Sequence, residues 1–459
     1  MITEGFGAAF IIKKLYSIRW AGKLKCKQSG AFGHDRINIL KRRMKVKKLI
    51  FHLFMSMFLI VIGSACESSS ELESKIVKEN KKIEKEDTNE AKPEKLIVWE
   101  EKGKANGLKP AIEAFEKKYG IKVEYEEIEM ANEMYEQLRR NGPIGKAPDV
   151  VTFSHEKVGQ IVEEGLIQEL KVNEDVLNTF IESSIRAEMY QGKVFGLPKS
   201  AVSSVLIYNK KLMANVPETM DDLYKKAKEL RKGNVYGFYA DWNDLYDAYG
   251  IMAGMGGYVF KEKDGNLDPS NIGLNNKSAV KGAKYIQKWY KADVMPKGDE
   301  AGIEKLFIEG KLASFMSKGS TLSDRKNTGV APLPVLPNGQ PMKTFMDIKG
   351  WHVTAFTKYP YWSTKLVEFL TKDKYAMLRY EKTGEIPPVK SIMNNEAINE
   401  NERAQALSIQ LQYAEPVPNI PEMNEVWKPM KSAMKEIASG KSKPKRTLDE
   451  AVKRIKKEY

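Results

Sequence analysis

The stretch Leu96–Ile128, LIVWEEKGKANGLKPAIEAFEKKYGIKVEYEEI, decides the fold. Leu96, Ile97, Val98 and Trp99 form a short apolar run, the pattern of a strand buried on both faces. Glu100 to Asn106 is charged and turn-like. Leu108, Ile112, Phe115 and Tyr119 then recur at helical spacing, and Gly120 stops the helix. Ile121, Val123 and Tyr125 alternate with polar residues, which predicts a second strand. The whole reads as a right-handed βαβ unit opening a parallel sheet. Its polar loop lies at the carboxyl end of a strand, where open α/β sheets place ligands. Trp99, at the lip of that loop, is the first candidate wall of a cleft.

The rest of the chain repeats the theme. APDVVTF (Ala147–Phe153) is a second buried strand, followed by Ser154, His155, Glu156 and Lys157. Gln191 and Gly192 turn a hairpin. Val202–Tyr208 and Phe345–Phe356 are long extended segments, candidate crossings between two domains. Val235–Tyr239 reads as a strand. DWNDLYDAY (Asp241–Tyr249) is a polar and aromatic cluster leading into a helix. Lys277–Lys291 is an amphipathic helix, and Pro416–Gly440 has a proline-fixed start and a helix stopped by Gly440. The expected architecture is α/β: a two-lobed, periplasmic-binding-protein-like fold with a hinge between two mixed sheets flanked by helices. One lobe is expected at residues 96–200 plus 350–396, the other at 201–349 plus 397–459.

Charge and cysteine limit the chemistry. The net charge of +14 hints at nucleic acid, but residues 1–65 hold 13 Lys/Arg against 2 Asp/Glu. The remainder carries 62 basic against 59 acidic residues, so no nucleic-acid partner is expected. Cys26 and Cys66 are the two cysteines, and only His155 and His352 fall in the folded part. Thiol chemistry, a metal site and a cofactor are not expected. KSKPKR (Lys441–Arg446) reads as a solvated loop.

From Met44 the chain reads MKVKKLIFHLFMSMFLIVIGSAC. A lysine-rich start, an apolar run from Leu49 to Ile62 and small residues before Cys66 resemble a bacterial lipoprotein signal. Residues 44–65 are then the signal, and Cys66 the lipidated first mature residue. Residues 1–43 are expected to be an upstream extension, and the charged stretch 66–95 a flexible tether. Localisation is expected at the cell surface, on the outer face of the cytoplasmic membrane, with a lipid anchor.

From Leu96 onward the chain resembles the maltose/maltodextrin-binding proteins of bacterial ABC importers, within the extracellular solute-binding proteins. The resemblance rests on LIVW with NGL, IKV, PDVV followed by His155 and Gly159, LIYNK (Leu206–Lys210), GGYVFK (Gly256–Lys261), FIEGKLA, and PNIPEM with Trp427 and ASG. It implies two lobes closing on a sugar, with aromatic planes against sugar faces and charged groups against hydroxyls. The ligand-binding set it implies is Trp99, Lys104, Glu133, Phe153, Glu156, Lys157, Asp244, Tyr246, Trp427 and Lys431. Val202 replaces a family glutamate, Ser320 or a neighbour replaces a stacking tryptophan, and Lys428 replaces a tyrosine. Trp242 is a candidate substitute for that tryptophan. The implied partners are an oligosaccharide, membrane permease subunits and the lipid anchor, with the protein a monomer. The resemblance implies no catalysis. A glycoside hydrolase using Glu156 and Asp244, a receptor for another solute, and a sensor-associated ligand receptor are the alternatives.

Overall fold

β1 (Lys95–Glu101), the helix Ala105–Tyr119 and β2 (Lys122–Ile128) form the predicted opening unit. The two strands pair in parallel, Leu96 opposite Val123 and Trp99 opposite Glu126. Leu108, Ala111, Ile112 and Phe115 bury the helix on the sheet. Gly120 closes it with φ 63° and an N–H bond to Glu116 O. The loop is shorter than expected, Lys102 to Lys104, because Glu100 and Glu101 stay in the strand. The computed structural model describes residues 90–458 except 264, 299, 319 and 320. The readings of residues 1–66, most of the tether, and Ser320 therefore lie outside the described residues.

β3 (Val150–Ser154) joins β1 in parallel. The hairpin β4 (Met189–Tyr190) and β5 (Lys193–Val194) turns through Gln191 and Gly192 at φ 49° and 75°, as a tight turn of this hand requires. β6 (Gly196–Ser203) and β7 (Val205–Asn209) are nearly continuous. β8 (Phe260–Lys263) and β9 (Asn266–Ile272) form a second hairpin. β10 (Ser314–Ser317) and β11 (Thr328–Ala331) flank β7, both antiparallel to it. β12 (Phe345–Val353) pairs antiparallel with β3 and β6, and β13 (Glu415–Pro416) pairs in parallel with β12.

Two sheets result. The first has the order β13-β12-β3-β1-β2, with β6 also on β12. The second has the order β10-β7-β11. Its hydrogen-bonded ladders are antiparallel, and parallel bridges at Tyr236–Leu312 and Tyr239–Phe315 stand where a full strand was expected. Each sheet has its own apolar core. Leu96, Val98, Phe115, Ile348 and Trp351 belong to the first; Leu206, Phe238, Trp289 and Met430 to the second.

The chain passes between these cores three times. Ala201 and Val205 lie in the first core and Leu206 in the second. Phe345 lies in the second and Met346 in the first; Ala414 lies in the first and Val417 in the second. Residues Ile398–Ala414, expected with the second lobe, bury Leu407 and Leu411 in the first core, while Glu402 accepts from Val330 N–H and Gln410 from Leu333 N–H beside the second sheet. The crossings are tied together. Ser203 Oγ lies 2.8 Å from Thr344 Oγ1 and donates to Phe345 O. Gln410 Nε2 donates to Met342 O and to Thr344 Oγ1. His155 joins from β3: Ile348 N–H donates to its Nδ1 at 3.1 Å, and its Nε2 faces Val417 O at 3.1 Å.

A buried charge network runs under the first sheet's carboxyl edge. Lys199 and Glu100, both fully buried, pair at 2.5 Å. Glu385 lies 3.7 Å from Lys199 and 3.6 Å from Lys349, and Lys349 pairs with Glu101 at 2.5 Å. Lys199→Met would strand Glu100 without its cation, a loss of about 3–5 kcal/mol. Urea unfolding should show a correspondingly lower midpoint. Lys104→Ala, which removes only a 4.0 Å contact to Glu385, should cost under about 1 kcal/mol.

Candidate functional site

β3 ends at the turn His155–Lys157, which lifts Glu156 and Lys157 off the sheet edge. His155 is buried and pinned, so the exposed pair beside it is held in place. Across from them stands the helix Leu245–Gly254. Asp244 caps it by accepting Tyr246 N–H, and its other oxygen pairs with Lys431 at 3.2 Å. Tyr246, Tyr249, Phe345 and Trp427 form one aromatic group. Phe345 stacks on Tyr249 with ring centres 3.9 Å apart, and Tyr246 and Trp427 lie 5.7 and 6.1 Å from it.

The centre is charged. Lys318, after β10, bonds Asp347 Oδ2 at 2.7 Å and lies 4.1 Å from the Tyr246 ring centre. Asp347 sits on β12, opposite Val202 in register. Burial and the nearby Asp347 carboxylate raise the Glu156 pKa, against the pull of His155. Glu156 is open to solvent at its surface, but the surrounding walls still strip much of its water. Burial, then Asp347, pushes the Tyr246 phenol above its usual range.

Two cavities meet this centre. One of about 230 Å³ is lined by Glu156, Lys157, Gln160, Asn419 and Trp427. Another of about 600 Å³ is lined by Lys104, Val202, Asp347, Lys349 and Glu385. Each therefore brings a polar edge and a ring, Trp427 in the smaller and Tyr380 in the larger.

The expected residues divide. Glu156, Lys157 and Trp427 share the smaller cavity; Lys104 lines the larger. Tyr246 joins through Asp347, while Asp244 and Lys431 serve each other at the rim. Trp99 and Phe153 are corrections. They are 3% and 1% exposed and pack with Met134, Leu138 and Ile161, where burial of such large rings gains more than a surface position. They back the wall and offer no face to a ligand. Trp242 is also core, edge-on to Trp289 at 5.7 Å. Glu133 is exposed on the turn Met130–Met134 and does not line either cavity. Phe345, Asp347 and Lys318 were missed. The available signal was FMDIKGWHV, an otherwise apolar strand carrying two charges. Among the described residues, no group of three or more His, Cys, Asp or Glu is placed to hold a metal ion.

The arrangement of two sheets joined by three crossings, with polar and aromatic groups facing between them, defines a two-lobed periplasmic-binding-protein-like fold. The chain belongs to the bacterial extracellular solute-binding proteins, whose family model matches residues 110–406. It is 42% identical over 378 residues to the galactooligosaccharide-binding protein of Bacillus subtilis, covering 80% of this chain and 90% of that one. It is 31% identical over 386 residues to a maltooligosaccharide ABC transporter solute-binding lipoprotein of Streptococcus pneumoniae, covering 81% and 90%. Among solved structures, a cyclo/maltodextrin-binding protein complexed with maltotetraose matches with TM-score 0.76 and 38% identity, covering 81% of this chain and 98% of that one.

One acid beside the site sets a pH test. Asp247 accepts a bond from Asp241 N–H, yet burial, aided by Asp241 and Asp244, pushes its pKa up to about 7. The unfolded value is near 4. An acid raised in the folded state binds more protons there, so stability falls as pH rises from about 4 to about 7. Asp247→Asn should raise Tm at pH 8 and give no gain at pH 4, as followed by circular dichroism.

Proposed function

We propose that the protein is a receptor that captures a short neutral oligosaccharide between its lobes and delivers it to the permease subunits of an ABC importer. The observation that carries this is the shared cavity of Trp427 with Glu156 and Lys157. The ring belongs to a helix on the second core, and the charged pair to a turn on the first sheet. A sugar has apolar C–H faces for such a ring and hydroxyl edges for such charges. A ligand touching both lobes favours whichever arrangement brings them together, by its differential affinity. Bending would fall at the crossings near Ser203, Thr344 and Ala414. The malto- and galacto-oligosaccharide names of the relatives supply the two ligand series to try first. Anchoring at Cys66 on the outer membrane face, and a monomeric state, complete the reading.

The reading involves no catalysis. The carboxylate beside Glu156 is Asp347, which Lys318 already holds at 2.7 Å. Asp244 is engaged as a helix cap and by Lys431. Incubation with either series should leave chain lengths unchanged by chromatography.

Calorimetric titration with maltotetraose and with a galactotetraose should show saturable binding to one series and a raised Tm. Trp427→Ala should weaken that binding by about 10- to 30-fold. No heat and no Tm change with either series would refute the reading.

A further inference from the structure

Two buried polar atoms at the cleft centre lack hydrogen-bond partners among the described residues. They are Asp347 Oδ1 and the Tyr246 hydroxyl, which lie near each other and are both buried. The Glu156 carboxyl stands beside them, its pKa raised by Asp347 among other causes. Only Asp347 Oδ2 is well satisfied, by Lys318 at 2.7 Å. Buried polar atoms without partners are costly, about 1–3 kcal/mol each. A cluster of them within a cleft favours a guest that completes their bonding.

The chemistry of that guest is restricted. Carboxylates accept hydrogen bonds, and a phenol O–H donates one. An ammonium group can donate to the acids and to the phenol oxygen but cannot accept the phenol's own O–H. An anion can satisfy the phenol and is repelled by the acids. An alcohol hydroxyl donates to one and accepts from the other. We propose that Asp347 is the carboxylate that reads a ligand hydroxyl at the cleft centre, with Tyr246 donating to that hydroxyl or its neighbour. This rests on the oligosaccharide reading above and names a determinant of its specificity.

Register explains how the residue arrives there. Asp347 and Val202 face each other across β12 and β6. Directly opposed residues of an antiparallel pair project to the same side, with Cβ atoms about 5 Å apart. Both line the 600 Å³ cavity. The sheet edge thus carries its central carboxylate on β12, beside an apolar residue on β6. Lys318 is the resident counter-ion and also covers the Tyr246 ring. A sugar ring seated on Tyr246 takes the place of that ammonium group.

The test uses the full folded chain and four proteins: wild type, Asp347→Asn, Asp347→Ala, and Asp347→Ala with Val202→Glu. Each is titrated with maltotetraose and galactotetraose and melted without ligand. Asp347→Asn keeps the shape and loses the charge, and should weaken binding about 10- to 100-fold with Tm nearly unchanged. Asp347→Ala should bind as poorly or worse. Adding Val202→Glu returns a carboxylate to the same face from the neighbouring strand and should recover at least about tenfold. Such recovery marks a charge that touches the ligand, because a merely structural aspartate would not be replaced from another strand. Asp347→Asn binding within about twofold of wild type, while wild type binds well, would overturn this assignment and leave the receptor reading standing. So would a loss matched by a Tm fall of more than about 5 °C and not relieved by Val202→Glu. Wild type that binds neither series would remove the receptor reading and this assignment together.

Discussion

Three backbone crossings held by side-chain hydrogen bonds are the constraint on which the rest depends. Ser203, Thr344 and Gln410 each come from a different crossing or its flank, and they bond one another. His155 adds β3 to the same knot through Ile348 and Val417. These bonds are buried, where a missing partner would leave a desolvated polar atom. The two sheets are thereby fixed at one edge and free to present groups to each other along another. Glu156 follows His155 directly, and Asp347 lies between Phe345 and Ile348. The site residues are neighbours of the knot in sequence as well as in space.

Beneath that edge the protein carries charges where an apolar core would be simpler. Glu100 is fully buried, and burial pushes its pKa up while Lys199 pulls it down. Burial also disfavours the charged form of Glu385, but Lys199, Lys349, Arg379 and Lys104 outweigh it and leave its pKa lowered. Buried pairs of this kind roughly break even in stability against apolar residues. Their effect here is positional. Lys349 and Lys104 reach from this network to the 600 Å³ cavity, so the polar floor of the cleft is anchored from below.

The aromatic residues show how far local pattern reaches. Trp99, Phe153, Trp242 and Trp427 all stand near polar residues in sequence, and each is plausible on a ligand face. Burial separates them. The first three pack among apolar neighbours with almost no exposed surface, and Trp427 keeps part of its ring open. Nothing in a one-dimensional pattern tells a ring that backs a wall from one that forms its surface. Phe345 illustrates the converse. Its neighbours Tyr249 and Trp427 lie about a hundred residues before it and some eighty after, so its place was invisible until the crossings assembled.

Sequence by itself determined the opening βαβ unit, a helix entered from the cluster Asp241–Tyr249, the tight turn at Gln191–Gly192 and two of the crossings. Each of these follows from bonding and burial within a short window: strand alternation, helical spacing, caps and turn residues. Tertiary structure alone decided the third crossing near Ala414, the retention of Glu100 within a strand, and the meeting of Glu156, Asp347, Lys318 and Tyr246. Those depend on partners far away in the chain. A carboxylate reads as loop or strand, surface or site, according to which distant lysine, phenol or carboxyl the folded chain sets beside it.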